Sequence, residues 1–197
     1  TALVVSARGL RTGLMLTPSD AFDAEFDLVG HQLVFRTASG RQATVALAPK
    51  TVAQFWTEVR AALTDLGIHV SIEAAPNETD PAIPFADDTT HHDYDPAAVT
   101  AFFGQLLSVH RVFARFSGAY GGKQSPVQLF WGSFDLSQVR YSGRPAPKHQ
   151  GSPPHCPPWV MLEAESQENS AVGFWAADDS TEGSFYAYAY PEPHGYR

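Results

Sequence analysis

In Phe22-Asp23-Ala24-Glu25-Phe26-Asp27-Leu28 apolar and acidic residues alternate, and from Thr51 the apolar spacing becomes three and four. Period two marks a strand with one buried face, and a three-to-four spacing lines one face of a helix. Here several strand-length segments precede the first helix, which is not the regular βα alternation of a parallel doubly wound sheet. The order reads βββαβ over residues 1–75, a crossing loop over 76–95, and αββ(α)ββ over 96–197. It predicts a single α+β domain over residues 1–197, a mostly antiparallel sheet with two principal helices packed on it.

The segments follow from local signals. Leu3 to Val5 and Gly9 to Leu16 read as a strand pair or one bent strand, kinked at Gly9 and Gly13. Phe22, Ala24, Phe26 and Leu28 are expected on a core face, with Asp23, Glu25 and Asp27 in water. Gly30 turns the chain into a return strand at Leu33 to Thr37, and Ser39-Gly40 into another at Gln42 to Leu47. Val52, Phe55, Trp56, Val59, Leu63 and Leu66 form a helix face that Gly67 stops. Ile68 to Ala74 alternates again and predicts a half-buried strand. Asp95-Pro96 opens a second helix, whose apolar residues from Phe102 to Phe116 cover so wide a face that it should be largely buried. Val127 to Trp131, apolar on both faces, predicts a central strand, with Val139 to Tyr141 as its continuation or hairpin partner. A Pro-rich loop from Arg144 to Pro158, a short helix at Trp159 to Glu165 and strands at Val172 to Ala176 and Phe185 to Tyr190 complete the order.

Charge narrows the partners. The 13 Lys and Arg against 21 Asp and Glu argue against duplex nucleic acid, whose backbone is bound by clustered cations. The surplus is local: residues 61 to 110 hold eight acids and no Lys or Arg, leaving 13 acids and 13 bases elsewhere. Four of those acids, Asp87, Asp88, Asp93 and Asp95, stand near His91 and His92 and raise the question of a hard cation, against the simpler reading of a solvated loop and a helix cap. One cysteine, Cys156, excludes an internal disulfide and a thiolate-rich zinc site and favours a cytoplasmic setting. No uninterrupted apolar run reaches the roughly 20 residues of a membrane helix, so no membrane partner is expected. No basic and apolar leader opens the chain, and a start at Thr1 rather than Met is in keeping with a trimmed N-terminus.

Several constellations carry chemistry. Phe130-Trp131-Gly132-Ser133-Phe134-Asp135 places Ser133 and Asp135 on one side of an extended chain, with Trp131 in register as a stacking platform. Asp135 and Ser133 are the catalytic candidates; the plainer alternative is a glycine bulge in a core strand. Arg140 and Arg144 flank Ser142-Gly143 and could clamp a carboxylate or phosphate, or pair with the protein's own acids. Tyr186, Tyr188 and Tyr190 alternate, so their phenols share one strand face and can line a ligand groove or a partner surface. His91-His92-Asp93 and His149 with His155-Cys156 lack the spacing that makes a zinc assignment specific, so no metal site is assigned. No glycine-rich phosphate loop appears, and no cofactor is named.

Ser125-Pro126 with Phe130 to Leu136, Tyr141-Ser142-Gly143-Arg144, Gly173-Phe174-Trp175 and Phe185 to Pro193, together with Ser6 to Leu10, resemble a bacterial family of unknown function. The resemblance spans nearly the whole chain and implies an intracellular bacterial protein with no assigned reaction. In the family pattern a histidine often stands where this chain has Gln128, and another where it has Gln167. Glutamine keeps the hydrogen bonding of histidine but shuttles no proton near neutral pH.

The function expected is therefore small-molecule binding, with room for catalysis, in a pocket of Trp131, Ser133, Asp135, Arg140 and Arg144 under Tyr188 and its neighbouring tyrosines. The alternative is a non-catalytic interaction protein that presents the tyrosines and the Pro-rich loop to a partner or a second copy.

Overall fold

A computed structural model describes residues 2–77, 79–152, 156–177 and 182–196. Glu78, in the acidic crossing, and His155, weighed above as a ligand, lie outside the described residues. The fold is α+β and every strand pairing detailed below is antiparallel. The chain divides into two compact units, residues 3–104 and, with the first two residues, 105–197.

The first unit holds β1 (Ala2–Val5) from Leu3 onward, β2 (Gly9–Arg11), β3 (Met15–Leu16), β4 (Ala21–Asp27), β5 (Gln32–Thr37), β6 (Gln42–Ala46) and α1 (Val52–Asp65). β4 pairs with β2 and β3 along one edge and with β5 along the other, and β5 pairs with β6. Phe22, Ala24, Leu33, Phe35 and Val45 from the strands pack with Ala62, Leu63 and Leu66 of α1 and with Ile68. α1 starts where it does because Thr51 and Gln54 form a reciprocal cap. Gln54 N–H donates to Thr51 Oγ1 at 3.1 Å, and Thr51 N–H donates to Gln54 Oε1 at 3.0 Å. It ends where Gly67 takes a φ of 67°, a conformation glycine adopts without strain.

Two expectations fail in this unit for stated reasons. The acids of β4 are not in water: Glu25 and Asp27 are buried. Each has donors fixed by the fold. Glu25 accepts from Ser6 Oγ at 2.6 Å and pairs with Arg36 at 2.8 Å, and Asp27 pairs with Arg8 at 2.8 Å. Ile68 to Ala74 is not a strand, because no neighbouring strand offers it a ladder. Ile68 is buried, while Val70 and Ile72 stay exposed. Among its described residues the crossing from 76 to 95 is irregular, as expected, and two of its acids, Asp88 and Asp95, accept from nearby backbone. Asp88 accepts from the N–H groups of Thr90 and His91 and from the His91 ring, and these bonds hold its carboxyl below the usual range against the effect of burial. Asp95 accepts from Ala97 N–H at 2.8 Å as a helix cap. Among the described residues no group of three His, Cys, Asp or Glu converges as a metal site.

α2 (Pro96–Gly118) begins in the first unit and ends in the second. It is not buried all round. Phe103, Leu106, Val109 and Phe113 form one buried stripe, while Val112 is exposed. On length and composition α2 is apolar enough to cross a membrane, a property that core helices share and that a count of uninterrupted apolar residues had missed.

The second unit adds β7 (Gln128–Phe130), β8 (Asp135–Pro145), α3 (Pro158–Ala164), β9 (Gln167–Trp175) and β10 (Ser184–Tyr190), with the strands neighbouring one another in chain order. Leu129 and Leu136, paired across β7 and β8, are completely buried. β7 is shorter than expected and Trp131 lies outside it. Trp131 to Phe134 form the turn that joins β7 to β8, with Phe134 at φ 52°. Val139 to Tyr141 thus belong to the hairpin partner.

Candidate functional site

The register of β8, β9 and β10 sorts every candidate onto one of two faces. Asp135 pairs with Trp175, Ser137 with Gly173 and Tyr141 with Asn169, while Tyr186, Tyr188 and Tyr190 pair with Gly173, Ala171 and Asn169. Directly paired residues point to the same side of a sheet, so these side chains share one face. Arg140, opposite Ser170, lies on the other face with Phe174 and Phe185. One pocket holding Asp135 and Arg140 together is therefore not what the backbone builds: five residues along a strand is an odd step, and it inverts the face.

On the tyrosine face Asp135 is 3% exposed and accepts from both the Ser133 hydroxyl and the Tyr186 phenol. The turn delivers Ser133, which is also tied by its carbonyl to Trp175 Nε1 at 3.2 Å. Trp175 covers Tyr186 with ring centroids 4.4 Å apart, and Tyr186 and Tyr188 stack at 6.2 Å with their planes 9° apart. Burial, then the hydrogen bond to Asp135, drives the Tyr186 phenol far above its ordinary range, because both oppose a phenolate. Tyr188 is pushed up to about 12 by burial first and then by the charges of Glu165 and Asp135. Trp131 packs edge-on against Phe134 at 5.8 Å within the turn, and it remains about half exposed. The glycine bulge weighed above is not present; the turn itself carries Gly132.

Gly173 explains how Tyr186 reaches Asp135. A Cβ at Gly173 would lie 2.0 Å from the Tyr186 ring, so the phenol crosses the sheet through space only glycine leaves open. Gly173→Ala is expected to swing the ring off Asp135 and to cost about 1–3 kcal/mol in urea denaturation. The same substitution should bring the Tyr186 phenol back toward ordinary titration in an ultraviolet pH titration.

At the strand ends a cleft of about 490 Å³ is lined by Arg140, Ser142, Arg144 and Glu168 of the other face, by Tyr141, Asn169 and Tyr190 of the tyrosine face, and by Tyr120 and Glu192. Gly143 at φ 84° sits in an irregular stretch of β8 between Tyr141 and Pro145, which turns both Ser142 and Arg144 onto Glu168. Glu168 accepts from Arg144 Nε at 2.7 Å and Ser142 Oγ at 3.0 Å, and these bonds hold its carboxyl below the usual range. Arg140 stands differently. Its guanidinium lies 3.3 Å from the Phe116 ring centroid and 4.9 Å from that of Tyr120, and it donates to the Phe116 carbonyl at the end of α2. No carboxylate pairs with it among the described residues. Two of the lining phenols are spent on backbone, Tyr120 on the Tyr141 carbonyl at 2.7 Å and Tyr190 on that of Pro147 at 2.9 Å.

The structure thus brings Arg140 and Arg144 together in the cleft, and Ser133, Asp135 and Tyr188 together on the tyrosine face. Sequence reasoning missed Glu165 and Asn169, both buried, with Asn169 Nδ2 donating to Glu165 at 2.6 Å on the tyrosine face. The signal was available in the alternation of β9, whose start it placed five residues late.

The model of a Family of unknown function (DUF5996) matches residues 1–197. The chain belongs to that family. Neither the curated proteins nor the solved structures contain a match. Of the two glutamines singled out in this DUF5996 chain, Gln128 pairs with Ser137 and Gln167 with Pro145. Eight residues of β8 separate those positions, roughly 25 Å at strand spacing, so side chains there would not share one site.

Proposed function

We propose that this chain is a small-molecule-binding protein whose ligand carries a carboxylate or similar small anion, held in the cleft of Arg140, Ser142 and Arg144. The observation that carries the reading is Arg140: a guanidinium that lines the cleft, is fixed by two aromatic rings and a carbonyl, and forms no ion pair among the described residues, although Glu168 and Glu192 also line the cleft. Arg144 is positioned but already neutralised by Glu168, so it adds hydrogen-bond donors more than charge. A volume of about 490 Å³ suits a metabolite.

A thermal-shift screen of carboxylate and phosphate metabolites, with hits confirmed by calorimetry, tests this. Arg140→Lys is expected to weaken a true hit about tenfold or more, because an ammonium neither stacks as the planar fork does nor offers paired donors. Arg144→Ala should weaken it less. Hits that bind Arg140→Ala and Arg144→Ala as tightly as the wild type would exclude the cleft.

A further inference from the structure

Residues 68–74 alternate apolar and polar as a strand does, run without a turn or bend, and find no ladder among the described residues. The bonds at the two ends show which edge is free. Ile68 N–H donates to the Leu63 carbonyl at 2.9 Å and the Ala74 carbonyl accepts from Phe85 N–H at 2.8 Å, whereas no N–H or C=O group from 69 to 73 has a partner among the described residues. In an extended chain the backbone groups of alternate residues point to opposite edges, so His69, Ser71 and Glu73 carry theirs away from the edge that Ile68 and Ala74 use.

The side chains suit an added strand. Val70 and Ile72, 45% and 43% exposed, follow the buried Ile68 along one side of the segment. A groove of about 470 Å³ runs between the segment and Arg60, Leu63 and Thr64 of α1, with room for the side chains such a strand brings. The strand that matches is this segment itself. Antiparallel pairing centred on Ser71 sets Val70 against Ile72 of a second copy on the apolar side, and His69 against Glu73 of the second copy on the other. The hydrogen-bonded pairs then fall on His69, Ser71 and Glu73, where the edge is free, and Val70 and Ile72 take the closer positions between them. No neighbouring register does this: a slip of one residue sets polar against apolar, and a slip of two leaves Glu73 opposite Gly67 or Ser71. The segment holds no proline or lysine, the usual guards of an open edge, and its single acid meets a histidine.

We propose that a second copy of this chain docks here, the two pairing antiparallel along residues 69–73 about a two-fold axis at Ser71, to form a dimer by strand addition. The surface belongs to the first unit and is independent of the anion cleft, which belongs to the second.

Sedimentation equilibrium on the full chain between about 1 and 300 μM tests this, and a ladder of this length should give a dimer that dissociates at about 10–100 μM. Val70→Asp and Ser71→Pro should each weaken the dimer about tenfold or more, the first by carrying a charge into the apolar side and the second by removing the central donor. Both positions are exposed, so urea midpoints close to that of the wild type will show that the fold is kept. The register has its own test. His69→Glu and Glu73→Lys should each weaken self-association about tenfold, and an equal mixture of the two variants should restore it, since the new carboxylate then faces the new ammonium and the native pair is kept. A chain that stays monomeric at about 300 μM would overturn the proposal. So would a dimer unmoved by Val70→Asp and Ser71→Pro, which would put self-association on another surface such as the tyrosine row, and so would a mixture that restores nothing.

Discussion

Asp27→Ala is expected to destabilise the chain by about 3 kcal/mol, read as a lower urea midpoint at neutral pH. The carboxylate is 2% exposed and organises a whole turn. It accepts from Arg8 Nε at 2.8 Å, from the N–H groups of Val29 and Gly30 at 3.1 and 2.8 Å, and from Gln32 Nε2 at 3.4 Å. Alanine leaves two backbone donors without acceptors, and Arg8, half exposed, recovers only part of its loss by rehydration. Asp27→Asn keeps the shape and should cost less.

The same residue sets a pH dependence. Burial by itself would raise the Asp27 carboxyl, but the Gly30 amide, Arg8 and Gln32 outweigh it and hold the group below its ordinary value of 3.8. A carboxyl whose folded value is depressed adds stability that is fully present above the unfolded value and is lost as pH falls through the folded one. The gap between wild type and Asp27→Asn should therefore be widest near neutrality and shrink below about pH 4. A constant gap down to pH 2.5 or so would show that the carboxylate is not the source.

Asp27 also marks the limit of reading the sequence by pattern. Alternation identified β4 and its core face, because Phe22 and Ala24 obey the period that burial imposes. The same logic assigned the acids to water, since period two says which residues share a face and nothing about whether the second face is covered. The error at Ile68 to Ala74 has the same origin in reverse: a strand pattern is no strand without a partner, and partners are set by the rest of the chain. The helices were more legible because their hydrogen bonds are internal, and the Thr51 cap and the Gly67 stop lie within a few residues of the bonds they serve.

The candidate site divides along similar lines. Residue types were readable, and Arg140, Arg144, Asp135 and Tyr188 all stand in charged or aromatic surroundings. Their grouping was not, because it depends on where the turn falls. With Trp131 to Phe134 as a turn rather than a continuing strand, Asp135 opens β8 and its parity separates it from Arg140. Asn169 joins the tyrosines through the pairing of β9 with β8 and β10, opposite Tyr141 and Tyr190, each more than twenty residues away in sequence. Among the described residues Arg140 makes no carboxylate pair on one face, and Asp135 accepts only from neutral hydroxyls on the other.

Gly9→Ala is expected to be as damaging as any single change in the chain, with a loss of about 3 kcal/mol or more. A Cβ at Gly9 would lie 1.9 Å from the Phe26 carbonyl oxygen and 2.9 Å from the Leu28 nitrogen. Both are backbone, so no rotamer change relieves the clash. The backbone cannot retreat cheaply either: Ser6 N–H donates to the Gly9 carbonyl at 2.8 Å, Gly9 N–H to Ser6 Oγ at 3.0 Å, and Leu28 N–H to the Arg8 carbonyl at 2.8 Å. These bonds close the turn between β1 and β2 against β4, with Gly9 paired to Asp27, so displacing Gly9 also strains the Asp27 network. Gly13, four residues on, supplies the control. Nothing lies within 4 Å of a Cβ there and its φ is not in the left-handed region, so Gly13→Ala should be neutral or should stabilise by up to about 1 kcal/mol through the unfolded chain. Equal urea midpoints for the two alanine variants would mean that the approach of β2 to β4 at Gly9 is looser than these contacts require.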